Sequence, residues 1–435
     1  MATSSASIEP LAGSAEQSST GRILFASFIG TAIEFYDFYV YATAAALIIG
    51  PVFFSHGSAT SQALSAFMTF GIAFIARPVG SFLFGHFGDR IGRKSTLVGS
   101  LVVMGASTTL IGALPGYESI GSLAPILLCV LRFGQGIGLG GEWGGAALLA
   151  TENAPAGKRG WYGAFPALGP SIGFLASNGL FFTLSLALTD AQFKAWGWRI
   201  PFLLSSVLVM LGLYVRLKIA ETPAFKVAIE KRQRVEAPIF ELVSRHWWPT
   251  ILGALAMIPC YTLFYNATTF SLSYGVSVLH IPRQVFLGLL CIAVAFMAVA
   301  TPLSAWASDR LGRKPVMIGG IIAAIASGFL MEPLLGSGSP GLVLLFLVIQ
   351  LFLMGVTFAP MGALLPELFP TNVRYTGSGV AYSLGGILGA SVAPYIAQLL
   401  AARGGLSWVG AYVSAAAAVG LLGVLAMRET RGVSL

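Results

Sequence analysis

Long apolar stretches alternate along this chain with short polar ones, and the polar clusters act as punctuation. A helix that crosses the hydrocarbon core of a bilayer needs about 20 predominantly apolar residues. Twelve stretches qualify: Ile23–Phe53, Ala63–Gly85, Thr96–Leu114, Leu123–Ala150, Tyr162–Leu188, Trp198–Leu217, Trp248–Val278, Val285–Trp306, Val316–Leu335, Leu342–Leu365, Gly377–Ala402 and Trp408–Met427. The pattern predicts an all-α membrane protein with twelve transmembrane helices. Its predicted divisions are a tail over 1–21, a six-helix bundle over 22–217, a linker over 218–247, a second six-helix bundle over 248–427 and a tail over 428–435.

Composition agrees with a bilayer as the solvent. Of 435 residues, 56% are hydrophobic and 10% charged, against about 25% charged in an average soluble protein. The segment before Arg22 is polar and Ser-rich, without a basic n-region, and the apolar run after it exceeds the h-region of a cleaved signal peptide. It is expected to stay attached as the first membrane helix.

The net charge of +8 gains meaning from its placement. Arg22, Arg90, Arg93, Lys94, Lys158, Arg159, a cluster from Arg216 to Arg245, Arg310, Arg313, Lys314, Arg374, Arg428 and Arg431 fall on one side, against Lys194, Arg199, Arg283 and Arg403 on the other. Cytoplasmic loops carry the excess of Lys and Arg, so both termini are expected in the cytoplasm of a bacterial-type inner (plasma) membrane protein. The basic charge is thus a topology signal, and no nucleic-acid partner is needed to explain it. The polar run from Lys218 to Trp247 reads as a cytoplasmic linker with short amphipathic helices at the interface. Cys129, Cys260 and Cys291 all lie in apolar runs and read as packing residues. The four histidines lack ligand spacing, so neither a metal site nor a cofactor is expected.

Two motifs occur twice. GHFGDRIGRK (Gly85 to Lys94) follows the second helix and AWASDRLGRK (Ala305 to Lys314) the eighth. ENAPAGKR (Glu152 to Arg159) follows the fourth and ELFPTNVR (Glu367 to Arg374) the tenth, with Glu, Pro and Arg at identical spacing. Recurrence in the same order at nearly the same offset points to a duplicated six-helix unit, and repeated halves mark secondary transporters.

GHFGDRIGRK matches in full the loop signature of the major facilitator superfamily, and AWASDRLGRK departs from it only at Ala305. EFYDFYVY (Glu34 to Tyr41) together with RFGQGIGLGGEWGGA (Arg132 to Ala146) resembles the metabolite:proton symporter branch. The resemblance implies two pseudo-symmetric six-helix bundles rocking about a central site. It also implies proton-coupled uptake of small organic acids or zwitterions, with protons as the coupling ion, a small carboxylate as the partner and a monomer as the working unit.

The chemistry is expected in the N-terminal half. A rise of 1.5 Å per residue puts the midpoint of the first helix near Tyr36, so Glu34 and Asp37 are central. Their i, i+3 spacing places them on one face with Tyr41 one turn on. Arg77 falls near the middle of the second helix, and Arg132, Gln135, Leu139 and Glu142 stack on one face of the fourth. Three potential anions face two fixed cations, so at least one carboxylate lacks a full partner in a low-dielectric site, as suits a group that takes up and releases a proton. Asp37 with Arg132 is the expected coupling pair, Glu34 and Glu142 are further proton candidates, and Arg77 is expected to attract an anionic substrate. Sugar carriers of the same superfamily are similar around Arg132 and pair that position with a first-helix aspartate. The competing reading makes Glu34, Arg77 and Glu142 static ion pairs that only orient helices.

The C-terminal half offers neutral groups instead: Tyr261, Tyr265, Asn266, Thr268, Thr269, Gln350 and Tyr382. Gating is expected from the repeated loops, with Gly85, Asp89, Arg90 and Arg93 in one copy and Asp309, Arg310 and Arg313 in the other. Glu152, Arg159, Glu367 and Arg374 complete the set. Each aspartate is expected to be held by the positive N-terminus of a neighbouring helix and by arginines. The alternatives are a proton-driven exporter, suggested by GPSIG (Gly169 to Gly173), and a nutrient sensor on the same fold. An enzyme is not expected, because GDRIGRKS lacks phosphate-loop spacing and no catalytic Ser, Cys or metal cluster stands out.

Overall fold

The computed structural model of the chain describes residues 12–219 and 238–433 apart from 92, 141, 153 and 372, and the side chains of 85–97 and 142–145 are among those outside the description. Long apolar runs leave each backbone group to find its partner within its own segment, which only a helix provides in hydrocarbon. Among the described residues every regular element is a helix.

Twelve membrane helices follow in order. They are α1 (Ser27–Phe53), α2 (Ala59–Ile91), α3 (Arg93–Ala113), α4 (Leu123–Leu139 continued by Glu142–Glu152), α5 (Arg159–Ala187) and α6 (Ile200–Ile219). After a short helix over Pro238–Arg245 come α7 (Trp247–Ser277), α8 (Arg283–Leu311), α9 (Arg313–Gly328 continued by Met331–Leu335), α10 (Pro340–Glu367), α11 (374–404) and α12 (406–426). Eight segments pass on length and hydropathy alone. The others fall short for local reasons. The apolar part of α3 begins only at Val98, and α4 breaks at Gly140, whose ψ of 115° is extended. Helix α9 changes to a wider turn over Met331–Leu335, and one run, Arg374–Ala426, holds both α11 and α12. Gly405 divides that run with φ 73° and ψ −170°, a backbone that glycine alone adopts readily.

The break in α4 corrects the expected single face from Arg132 to Glu142. Gly140 interrupts the helical register between them, and the side chain of Glu142 lies outside the described residues. The cause is a close crossing of α2 and α4. A methyl group on Gly136 would sit 2.2 Å from the Ala73 carbonyl oxygen, and one on Gly140 would sit 2.4 Å from that of Arg77. Small residues are what allow such backbone approach in membranes, and here they bring Arg77 and Arg132 into one layer.

Helices α1–α6 pack on one another, as do α7–α12, and the two bundles meet along α5 against α8 and α2 against α11. Widened π-helical turns occur at Ala45–Ile49 in α1 and Asn266–Phe270 in α7, corresponding places in the two halves, and at Gly386–Ser391 in α11.

Candidate functional site: a buried centre and a gate

Asp37 is 0% exposed, and neither of its carboxylate oxygens has a hydrogen-bond partner among the described residues. It faces Ser205 of α6 outside hydrogen-bond geometry. The expected direct pair with Arg132 is not formed in this conformation. Instead Arg132 donates from Nε to the Thr69 carbonyl (3.3 Å), from Nη2 to the Phe70 carbonyl (2.9 Å) and from Nη1 to Gln135 Oε1. Its guanidinium carbon lies 3.8 Å from the Tyr41 ring centroid, and the Tyr41 hydroxyl shares a 2.5 Å hydrogen bond with Thr69. Gln135 supplies the link that the pair lacks, because its Nε2 donates at 2.9 Å to the backbone carbonyl of Asp37 and at 2.9 Å to Thr108. An arginine can satisfy its planar fork with neutral oxygens and a ring face. Its charge is held without a carboxylate ligand among these contacts.

Arg77 sits between the rings of Phe38 (4.8 Å) and Phe74 (4.4 Å), with Nε unpartnered among the described residues. Its charge reaches the hydroxyls of Tyr261, Tyr265 and Tyr382 in the other bundle. Glu34 is buried one turn before Asp37 and acts electrostatically on Tyr382. From the C-terminal bundle, Tyr261 stacks on Tyr265 (6.3 Å, 12°), and Tyr265 meets the edges of Phe70 and Phe74. Asn266 donates to the Thr262 carbonyl at 2.9 Å and leaves Oδ1 unpartnered among the described residues. Gln350 faces away from this centre, donating to Ser327 of α9 at 3.1 Å.

Aromatic packing closes the middle. A cavity of about 10 Å³ lies between Phe35, Tyr39, Pro170, Tyr261, Tyr265 and Tyr382, about the size that one water requires. Asp37, Arg77, Arg132, Tyr261, Tyr265 and Tyr382 are all buried. Tyr39, Phe38 and Phe74 are the central residues that sequence reasoning passed over. The available signal was the density of rings in EFYDFYVY, which puts aromatics on every side of α1.

The described residues expected to form a gate gather at the end of the bundles that carries Asp309. Its Oδ1 accepts from the Gly160 N–H and its Oδ2 from the Trp161 N–H, both at 2.8 Å, so a side chain of α8 caps the first turn of α5 in the other bundle. Gly160 is required by proximity, since a methyl group there would sit 2.8 Å from the Ala305 carbonyl oxygen. Arg313 reaches Asp309 at 2.6 Å and Glu367 at 3.2 Å, and Thr430 donates to Glu367 at 2.6 Å. Glu429 accepts the N–H groups of Arg313, Lys314, Thr430 and Arg431 at 2.9 to 3.0 Å. Burial pushes its carboxyl up, but these four donors outweigh that and hold it below the usual glutamate range.

The other predicted gate residues lie around it. Arg159 donates to the Val433 carbonyl. Arg310 lays its guanidinium over Trp306 (4.1 Å), and its carbonyl accepts from Arg431. Arg374 donates to the carbonyls of Pro366 and Phe369 at 3.2 Å and lies within electrostatic reach of Glu152, Arg159 and Glu367. The side chains of Gly85, Asp89, Arg90 and Arg93 lie outside the described residues.

Two bundles meeting at a charged, buried centre and capped by a helix-end lock are the anatomy of a secondary transporter. The chain belongs to the major facilitator superfamily: residues 23–244 match the sugar (and other) transporter family and residues 283–434 the Major Facilitator Superfamily. It is 52% identical over 424 residues to the inner membrane metabolite transport protein YhjE of Escherichia coli, covering 96% of each chain. It is 36% identical to the shikimate transporter of the same species, covering 98% of each. The partially occluded, inward-open structure of the E. coli xylose transporter XylE superimposes with a TM-score of 0.73 over 96% of this chain and 100% of that one, at 17% identity. That likeness is one of fold. The protein is therefore a multi-pass membrane transporter of this superfamily.

Proposed function

We propose that the protein is a proton-coupled symporter that imports a small organic acid by alternating access, working as a monomer with no cofactor beyond the proton itself. The observation that carries this reading is Asp37, fully buried at the centre, with both carboxylate oxygens unpartnered among the described residues and one amide removed from a charged arginine. A lone ionised carboxylate in a dry site is costly by several kcal/mol. A proton relieves that cost, and water admitted from either side gives the proton a path.

In this scheme the bundles open first away from the Asp309 lock, and Asp37 takes up a proton. An anionic substrate meets Arg77, whose fork has an unused donor, and the tyrosines of the C-terminal bundle close over it. Arg132 is held by neutral acceptors and can turn to a substrate carboxylate without breaking an ion pair. Occlusion follows, the Asp309 lock releases, and proton and substrate leave on the lock side. That side is assigned to the cytoplasm with both termini, in keeping with the distribution of basic residues and with the inner-membrane relative. The shikimate carrier among the relatives favours a carboxylate as substrate.

The test uses purified protein in liposomes with an inward proton gradient and a panel of labelled carboxylates, zwitterions and cationic drugs. Accumulation of a carboxylate that collapses with a protonophore is expected. Gradient-driven efflux of a cationic drug, with no carboxylate accumulation, would replace symport by export.

A further inference from the structure

Helices α5 and α8 run antiparallel across the bundle interface and are joined by polar contacts at three levels. At one end is the Asp309 lock on Gly160 and Trp161. Part-way along, Asn178 donates to the Leu287 carbonyl (3.0 Å) and to Cys291 Sγ (3.2 Å). At the far end Arg283, the first residue of α8, donates from Nε to Ser185 Oγ at 2.8 Å, pairs with Asp190 at 3.1 Å and lies over the Phe193 ring at 3.7 Å. The two end contacts are about 40 Å apart along the seam at 1.5 Å per residue.

We propose that Arg283 is the latch of the outer gate, a positioning residue that holds closed the end opposite Asp309, so that opening either end of the transporter breaks one latch and leaves the other intact. The proposal rests on the alternating-access reading above.

Three observations carry it. Arg283 belongs to the C-terminal bundle and all three of its partners to the N-terminal one, so the contact cannot survive separation of the bundles at that end. Its side chain is only 10% exposed although it ends a membrane helix, whereas Asp190 is 82% exposed. An ion pair to so exposed a carboxylate is worth little, which makes the partly buried bond to Ser185 and the stack on Phe193 the working part. Finally, both ends are latched in a conformation whose centre is nearly filled, the state from which either gate can open. Asn178, between them, is suited to remain bonded while the ends move.

Backbone hydrogen exchange on the full-length protein in lipid nanodiscs tests this without any substrate. In Arg283→Ala, exchange over 189–195 and 278–286 is expected to rise about threefold or more, as for local opening, while the Gly160 and Trp161 amides keep or gain protection. Ser185→Ala should move the same amides in the same direction by less, and Asp190→Asn by least. Unchanged exchange at the far end in both Arg283→Ala and Ser185→Ala overturns the proposal. So does equal loss of protection at both ends, which would make Arg283 a general stabiliser. If the far end opens as expected but the wild-type protein shows no proton-driven accumulation in liposomes, the latch stands and the symport reading falls.

Discussion

The two bundles began as copies, and their repeated loops still share DR-G-RK and E-P-R patterns, yet they furnish the centre with opposite kinds of chemistry. The N-terminal bundle brings Asp37, Glu34, Arg77, Arg132 and Gln135, while the C-terminal one brings Tyr261, Tyr265, Asn266 and Tyr382. Among the described residues at the Asp309 end, the C-terminal bundle supplies Asp309, Arg313 and Glu367, and Asp309 accepts from backbone N–H groups of the N-terminal bundle. Among the described residues the buried charges of the centre are thus concentrated in one bundle. The other closes over them with rings. A duplicated fold can furnish its halves differently because both bundles retain apolar helix packing of their own.

The sharpest way to break this division is at Asp37. Asp37→Asn should lose at least about tenfold in gradient-driven accumulation, about 1.4 kcal/mol of coupling, while counterflow exchange of labelled for unlabelled substrate persists. Unimpaired accumulation would move the proton site elsewhere. Next comes Arg132→Lys, which keeps the charge but cannot serve the Thr69, Phe70 and Gln135 oxygens together or stack on Tyr41. A fall of about tenfold in transport rate at saturating substrate is expected, since arginine and lysine are not interchangeable at stacked, multidentate sites.

At the gate, Asp309→Asn exchanges charge-assisted bonds to two amides for weaker ones, each bond to a charged group being worth about 1.5 to 3 kcal/mol. Faster hydrogen exchange at Gly160 and Trp161 should report it, with Arg283 still engaged at the other end. On the neutral side of the centre, Tyr265→Phe keeps the rings that meet Phe70 and Phe74, so the apparent affinity should change by only about threefold, within the worth of one neutral hydrogen bond.

The smallest effect concerns the tail. Glu429 titrates below its ordinary range in the docked tail, so docking gains stability above the unbound glutamate value of about 4.3 and loses it as pH falls through the lower, docked value. Amide protection at Arg313 and Lys314 should therefore hold at neutral pH and fade only under strong acid. In Glu429→Gln it should be weak throughout.

The twelve helices were legible because a bilayer permits so few alternatives that hydropathy and punctuation almost suffice. The repeated loops pointed to the duplication, and helical rise put Asp37 near the middle of the first helix. What could not be read was rotation and reach. Arg132 was expected to meet Asp37 because opposite charges attract, but the close crossing of α2 and α4 through Gly136 and Gly140 puts backbone carbonyls within its grasp first. The single face beginning at Arg132 is interrupted at Gly140, a break that the apolar run does not reveal. The spacing of Arg374 from Glu367 likewise gives no sign that its guanidinium also donates to the Pro366 and Phe369 carbonyls.

The π-helical turns of α1 and α7 stand at matching places beyond the central residues, Ala45–Ile49 after Asp37 and Tyr41, and Asn266–Phe270 directly after Tyr265. Each such turn accommodates an additional residue, and turns of this kind gather at functional sites. In both helices the turn sets a short tip apart from the segment that carries the central residues, so the two halves depart from regular helix at the same level beside the centre.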